Sequence, residues 1–137
     1  MAAKSAYLWR RPLPYQFPVM TMASSSISGE TLLAQLKGVV GERHVLTDER
    51  NTRRYRKGYR YGDGAVLAVV RPGTLLEQWR VFKACVEAGC VVITQGANTG
   101  LNGGSTPFGD DYDRPVVVIN TMRIGRIDLL KGGEQVL

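Results

Sequence analysis

The sequence AVLAVVRPGTLLEQWRVFKACVEAGCVVIT, residues 65–94, decides the fold class. Residues 65–70 form a continuous apolar run, which is typical of a strand that is covered on both faces. An Arg-Pro-Gly sequence ends that run, and residues 90–94 are a second apolar strand. The segment between them is predicted to be a helix that begins with a T-x-x-E capping box at Thr74 and ends at Gly89. Strand, helix and strand with short connections predict a βαβ unit.

Apolar side chains recur at helical spacing along the predicted helix of this unit. Leu75, Trp79, Phe82 and Val86 share one face, which is therefore predicted to pack against the sheet. Cys85 on the same helix and Cys90 at the start of the second strand are predicted to be small buried hydrophobes. The sequence has 2 Cys and 1 His, too few for a zinc site.

Further elements flank this unit on both sides. Upstream, apolar residues at helical spacing predict a first helix from Ser28 to Gly41, followed by an extended link at Val45 and Leu46. Residues 48–58 are predicted to be a short, very basic helix that ends at Gly58. Downstream, residues 116–119, 126–130 and 135–137 are predicted strands, the last two joined by a Lys-Gly-Gly turn. The whole pattern predicts an α+β fold with a small mixed sheet.

Length and composition set the limits of the domain organisation. A chain of 137 residues with 44% hydrophobic residues is predicted to form one domain, at residues 23–137. Residues 1–22 hold three prolines and no hydrophobic periodicity, which predicts a disordered N-terminal extension. No apolar run reaches the roughly 20 residues of a membrane helix. The apolar strand at the C-terminus is expected to lack a partner, so we expect a fragment of a longer protein.

Positive charge is concentrated in one part of the chain. The net charge is +6, and five of the six excess charges lie in residues 43–60. Such a balance is compatible with nucleic acid, acidic lipid or a phosphorylated cofactor. Arginines and tyrosines alternate in residues 50–60, as in single-strand nucleic-acid binders, but no recognised nucleic-acid module accompanies them. The preferred interpretation is a solvated basic face, or one that adds positive potential near cofactor phosphates or an anionic membrane, and no nucleic-acid partner is expected.

The chemistry is predicted to lie in the loop QGANTGLNGGS, residues 95–105. Glycines permit positive φ, and their backbone N–H groups can converge on a phosphate. No Gly-Lys-Ser/Thr sequence follows, which disfavours a Walker A loop, and no helical pattern follows, which disfavours a Rossmann fingerprint. The loop alone therefore leaves two interpretations open: a dinucleotide site of another kind, or a glycine-rich turn without a ligand.

A family resemblance decides between these interpretations. The segments RYRKGYRYGDG, QGANTGLNGGSTPFGDDYDRPVVVINTMRI and GGEQVL resemble the N-terminal part of bacterial quinone-dependent D-lactate dehydrogenases. These flavoenzymes have the p-cresol-methylhydroxylase type of FAD-binding domain, and the resemblance extends from about Leu32 to Leu137. It implies the N-terminal subdomain of such a domain. Gly103 stands where an acidic residue is expected in relatives, and we expect this glycine to make the loop more flexible.

The resemblance also implies a site and a function. The family's FAD contacts fall on Gly96, Ala97, Asn98, Thr99, Gly100, Gly104 and Ser105. The implied cofactor is FAD, held non-covalently because the loop contains no Cys or His. The implied reaction of the complete enzyme is oxidation of D-lactate to pyruvate with quinone as acceptor, at an anionic membrane surface on the cytoplasmic face of the inner membrane.

Catalytic residues cannot be assigned from this chain. The single His, His44, lies beside a link segment and is interpreted as a solvated or capping residue. This chain alone is therefore expected to be catalytically incomplete. It is also expected to be cytoplasmic. The alternatives are another FAD-linked oxidoreductase of the same fold and a small basic nucleic-acid-binding protein.

Overall fold

The computed structural model describes residues 28–109 and 112–136, so the predicted extension at residues 1–22 lies outside the described part. The helices of that part are α1 (Gly29–Val40), α2 (Glu49–Arg56) and α3 (Leu75–Glu87). Its strands are β1 (Val45–Leu46), β2 (Ala68–Val70), β3 (Val91–Gln95), β4 (Val116–Asn120), β5 (Leu129–Leu130) and β6 (Gln135–Val136). None of the helices described is long and apolar enough to cross a membrane.

The main sheet is mixed, with strand order β1-β2-β4-β3. Strands β2 and β3 both run parallel to β4, with Val69 and Ile93 each paired to Val118. Strand β1 runs antiparallel to β2, with Val45 opposite Val70. The predicted α+β class, mixed sheet and strand-helix-strand unit are confirmed, but β4 lies between the two strands of that unit. The predicted extended link at Val45 and Leu46 is extended, and its pairing with β2 makes it an edge strand.

Strand β2 is shorter than the apolar run predicts, since it begins at Ala68 rather than at residue 65. Two residues shortly before β2 form isolated bridges instead of extending this strand. Asp63 forms an isolated antiparallel bridge with Lys57, and Gly64 forms a parallel bridge with Gly109. A run of apolar residues predicts burial but does not show where the ladder of hydrogen bonds begins.

Helix α1 has the predicted ends. The Ser28 hydroxyl accepts a hydrogen bond from the Thr31 backbone N–H, and Gly41 ends the helix with a φ of 85°. Helix α3 also begins as predicted, because the Thr74 hydroxyl accepts from the Glu77 N–H at 3.1 Å. The Glu77 carboxylate then accepts from the Gly73 N–H at 2.7 Å, so the first turn of the helix is tied back to the end of β2.

The face of α3 that packs on the sheet is not the predicted one. Val81, Ala84 and Cys85 are buried, whereas the predicted core residues lie largely in solvent. The exposed fractions are 58% for Leu75, 58% for Trp79, 42% for Phe82 and 55% for Val86. Helix α3 contains two apolar stripes, and the stripe of smaller side chains packs against α1 and the sheet.

The core has two parts, one on each face of the main sheet. The larger part joins α1 and α3 to one face, and its fully buried members include Leu36, Val81 and Ile119. The smaller part lies on the opposite face, where Tyr55 of α2 packs with Val69 and Val118. Helix α2 begins at the predicted Asp48 cap. It ends two residues before the predicted Gly58, at Arg56.

The chain then leaves the main sheet. Strands β5 and β6 pair as an antiparallel hairpin across the predicted turn Lys131–Gly133. Strand β5 begins at Leu129, three residues later than predicted. Both residues of β5 are exposed.

The two cysteines are free thiols. Cys85 is buried, and burial raises the pKa of its thiol to about 12. Cys90 is only half-buried, which is less than predicted.

The packing makes a direct prediction about two leucines. Leu36→Ala removes a side chain with no exposed area and should lower the free energy of unfolding by about 2–5 kcal/mol. Leu76→Ala is the matched control, since Leu76 is 57% exposed and its loss should cost less than about 1 kcal/mol. Urea titration of both variants followed by circular dichroism measures the difference. A larger loss for Leu76→Ala would contradict the observed packing face of α3.

Candidate functional site

The candidate site lies at the carboxyl edge of the main sheet. Because β2, β3 and β4 are mutually parallel, their carboxyl ends meet at one edge. Arg71 follows β2, Gln95 ends β3, and Asn120 ends β4. Crevices outside the carboxyl ends of parallel strands are the usual ligand sites of open sheets with helices. The glycine-rich loop begins at this edge.

Two buried amide side chains anchor the loop at both ends. Gln95 is 2% exposed and Asn120 is 3% exposed. The Asn120 amide donates to Gln95 Oε1 at 3.1 Å and to the Gly96 carbonyl at 2.9 Å. The Gln95 amide donates to the Tyr55 carbonyl at 2.7 Å and to the Ser105 carbonyl at 2.8 Å. These bonds connect β3, β4, α2 and the far end of the loop.

Side chains within the loop add a second set of contacts. Asn98 adopts a φ of 57°, a conformation that asparagine tolerates better than most residues. Its amide donates to the Lys57 carbonyl at 2.9 Å, and its oxygen accepts from the Ser105 hydroxyl at 2.8 Å. Asn98 and Ser105 therefore hold the loop against the end of α2, a role that the sequence did not predict for them. Thr99 is exposed.

The glycines of the loop differ in their backbone conformation. Gly96, Gly100 and Gly104 do not use the positive φ that glycine permits. Gly103 does, with a φ of 75°, and a Cβ there would lie 3.1 Å from Tyr61. Packing against Tyr61 therefore argues against the flexibility expected of Gly103. At Gly96 a Cβ would meet no atom within 4 Å, so its backbone is open to a ligand.

A cleft of about 430 Å³ opens beside the first residues of the loop. Three of the residues implied by the resemblance line it: Gly96, Ala97 and Asn98. The remaining four, Thr99, Gly100, Gly104 and Ser105, lie further along the loop and do not line the cleft. The other lining residues are Arg54, Tyr55, Arg71, Gln95, Asn120, Met122 and Arg123.

Three arginines of this lining were not predicted as site residues. Arg54 donates to the Tyr55 hydroxyl at 2.8 Å, and Arg71 approaches the same oxygen at 3.4 Å. Arg123 donates to the Arg71 carbonyl at 2.5 Å. The signal available in the sequence is positional, because Arg71 directly follows β2 and Arg123 follows shortly after β4. Their meeting depends on the pairing of β2 with β4, which the sequence pattern did not predict.

His44 lies behind these arginines and is partly buried. Arg43 Nε lies 3.0 Å from His44 Nε2, and Arg71 Nη2 lies 3.4 Å from Nδ1. Burial and the positive charges of Arg123, Arg43 and Arg71 lower the pKa of His44, against a smaller raising effect of Glu77. Arginine nitrogens therefore lie beside both ring nitrogens, although a neutral imidazole can accept a hydrogen bond at only one of them.

Other chemistry finds little support in the described residues. Within 28–109 and 112–136, no group of three His, Cys, Asp or Glu side chains is placed to hold a metal ion. The basic segment has in part a structural role, because Arg56 pairs with Glu49 at 2.5 Å and with Asp63 at 3.4 Å.

Comparison with solved structures defines the class of fold. An alkyldihydroxyacetonephosphate synthase superposes with a TM-score of 0.63 at 17% identity, covering 72% of this chain and 20% of that one. A p-cresol methylhydroxylase superposes with a TM-score of 0.57 at 19% identity, covering 72% and 19%. The chain thus has the fold of the corresponding part of p-cresol methylhydroxylase, as the resemblance implied. No family model matches the chain.

Sequence comparison then identifies particular relatives. The chain is 55% identical over 111 residues to the quinone-dependent D-lactate dehydrogenase of Haemophilus influenzae and 53% identical over 113 residues to that of Escherichia coli. These matches cover 81% and 82% of this chain, and the chain spans about a fifth of the length of either relative. Mitochondrial D-2-hydroxyglutarate dehydrogenase of Bos taurus is 33% identical over 108 residues, covering 78% of this chain and 20% of the relative. The predicted resemblance to the quinone-dependent D-lactate dehydrogenases is confirmed.

The arginines around His44 make its titration predictable. The NMR-measured pKa of His44, the only His in the chain, should lie below its ordinary value of 6.5. Arg123→Gln should move it back toward 6.5, whereas Arg126→Gln should leave it unchanged, because Arg126 pairs with Asp128 instead. The unfolded chain then binds a proton more readily than the folded one, so stability should fall as pH drops below about 6.5. An unshifted His44 would contradict the arrangement of the arginines.

Proposed function

We propose that this chain is the FAD-binding portion of a D-lactate dehydrogenase that oxidises D-lactate to pyruvate with quinone as acceptor. The observation that carries the proposal is the open backbone of Gly96 beside a cationic cleft, in a chain 55% identical to such an enzyme over 111 residues. The reaction itself is proposed for a longer protein, of which this chain represents about a fifth.

The described residues fit a dinucleotide cofactor. The volume of the cleft, about 430 Å³, lies within the usual range of ligand sites. The space over Gly96, which any Cβ would fill, lets a phosphate approach the main chain. Guanidinium groups of Arg54, Arg71 and Arg123 line the same cleft, and arginine suits phosphate oxygens. The proposed contacts are therefore Gly96, Ala97 and Asn98, with Thr99, Gly100, Gly104 and Ser105 further along the loop.

The residues of this chain bind and orient, while the chemistry of hydride acceptance would be supplied by the flavin. Gln95 and Asn120 hold the loop in place, so its backbone donors are arranged before the ligand arrives. Oxidation of a 2-hydroxy acid also needs a base for the hydroxyl proton. His44 is poorly placed for this role, since arginine nitrogens lie 3.0 Å and 3.4 Å from its two ring nitrogens. We assign the base to the part of the relatives that this chain does not span.

The flavin is proposed to be held non-covalently. Covalent attachment would need a nucleophilic side chain at the cleft. Cys85 is buried in α3. Cys90 precedes β3 and therefore lies at the amino edge of the sheet, opposite the cleft. Neither thiol can reach the loop without refolding.

The complete enzyme is proposed to work at the cytoplasmic face of the inner membrane, where quinone is available. The support from this chain is its net charge of +6, since basic proteins are attracted to anionic lipid. A second candidate function is oxidation of another 2-hydroxy acid, which is favoured by the 33% identity to D-2-hydroxyglutarate dehydrogenase.

The glycine loop provides the test of FAD binding. Gly96→Val should abolish binding of FAD and leave the thermal midpoint unchanged within about 2 °C, because a Cβ at this position meets no protein atom within 4 Å. Gly125→Val is the matched control, since a Cβ at Gly125 is equally free and lies outside the cleft. Fluorescence titration with FAD measures the affinity of both variants. Equal affinity in the two variants would refute the site.

The chain by itself should not oxidise D-lactate. No carboxylate or imidazole is among the described residues that line the cleft, and a positioned base contributes a rate factor of roughly 10²–10⁴. The purified chain with excess FAD is assayed for D-lactate-dependent dye reduction, with the Escherichia coli enzyme as the positive control. Turnover within about tenfold of that control, equivalent to about 1.4 kcal/mol in the barrier, would show that the chain is catalytically complete.

A further inference from the structure

Three arginines from distant parts of the sequence meet at one cleft. Arg54 comes from α2, Arg71 follows β2, and Arg123 follows β4. Arg54 and Arg71 share the Tyr55 hydroxyl as an acceptor, and Arg54 also stacks 4.6 Å from the centre of the Tyr55 ring. Tyr55 is 6% exposed, so a buried residue orients two of the three guanidinium groups.

The charge of this cluster is not neutralised by carboxylates. Among residues 28–109 and 112–136, the carboxylates that form ion pairs do so with other cations, including Arg56, Arg114 and Arg126. No ion pair within that part of the chain involves Arg54, Arg71 or Arg123. Like charges held together without a counterion repel each other. Their arrangement around one cleft therefore favours an anionic ligand.

Arg71 has one buried hydrogen-bond donor that lacks an acceptor in the described structure. Its Nε is buried and makes no hydrogen bond in the described structure. Its two Nη atoms are used by Tyr55, by the Arg43 carbonyl at 3.1 Å and by His44. Buried donors are satisfied in the great majority of proteins, and the unsatisfied one here belongs to a residue that lines the cleft.

We propose that Arg54, Arg71 and Arg123 bind the diphosphate of the ligand, opposite the backbone of Gly96–Asn98. A diphosphate presents several charged oxygens over a short distance, and forked guanidinium groups bind such oxygens at fixed angles. The identity of the ligand as FAD rests on the proposed function. The group that the arginines bind is a diphosphate, and both a dinucleotide and free inorganic pyrophosphate contain one.

The test compares arginine variants of the full chain. Arg54→Gln and Arg123→Gln each remove one cation from the cleft. Arg53→Gln is the matched control, because Arg53 is an exposed neighbour of Arg54 on α2 and does not line the cleft. Calorimetric titrations use FAD, inorganic pyrophosphate and riboflavin, which has no phosphate. Arg71→Lys is a fourth variant, which retains the positive charge but loses the forked guanidinium group. Thermal midpoints establish that each variant is folded.

The expected results distinguish the loss of a cation at the cleft from a nonspecific effect on the folded protein. Arg54→Gln and Arg123→Gln should raise the Kd for FAD at least tenfold, about 1.4 kcal/mol, and should weaken pyrophosphate binding in parallel. Arg53→Gln should stay within twofold of wild type, and riboflavin affinity should be the same in all variants. Affinity for FAD should also fall steeply with salt in the wild type.

The two proposals fail in different ways. If the wild type binds FAD and both cleft variants bind it as well as Arg53→Gln does, the arginine proposal is overturned and the proposed function stands. If pyrophosphate binds in an arginine-dependent way and FAD does not bind, the proposed function is overturned and the diphosphate site stands. If neither ligand binds, both are overturned.

Discussion

The hydrogen-bonded amide pair of Gln95 and Asn120 is the interaction on which the rest of the site depends. It joins the carboxyl ends of β3 and β4, and through the Tyr55 carbonyl it joins both strands to α2. The same pair holds the carbonyls of Gly96 and Ser105, which are the two ends of the loop. Buried amides cost free energy unless they are fully paired, and each amide nitrogen of this pair makes two bonds. The loop can therefore be rich in glycine and still have one shape.

The cleft has two unlike walls, and the proposed anion site depends on both of them. One wall is the main chain of Gly96 and its neighbours, which offers close approach but little charge. The other is built from Arg54, Arg71 and Arg123, which offer charge and directional donors. Backbone dipoles set where a ligand lies, and formal charges act over a longer range. The fold brings the two together because β2, β3 and β4 are parallel.

Local signals in the sequence predicted the elements well, and long-range pairing was predicted poorly. The caps at Ser28 and Thr74 act within four residues, so they can be identified without knowledge of the fold. The packing face of α3 could not be, because both of its stripes are apolar and only the fit against α1 selects the one with Ala84. The loop was identified from composition and resemblance. The arginines were missed because a site that combines residues 54, 71 and 123 exists only after the strands have paired.

The place of β4 in the sheet also determines the order in which this chain can fold. Ala68 pairs with Val117, and Val91 pairs with Val116, so β2 and β3 have no common neighbour until β4 inserts between them. A chain emerging from the ribosome presents α3 and the two strands that flank β4 before β4 itself has been made. Contacts of this sequence separation slow folding. The Gln95–Asn120 bond needs the same strand pairing, so the glycine-rich loop gains these anchors only when the sheet closes.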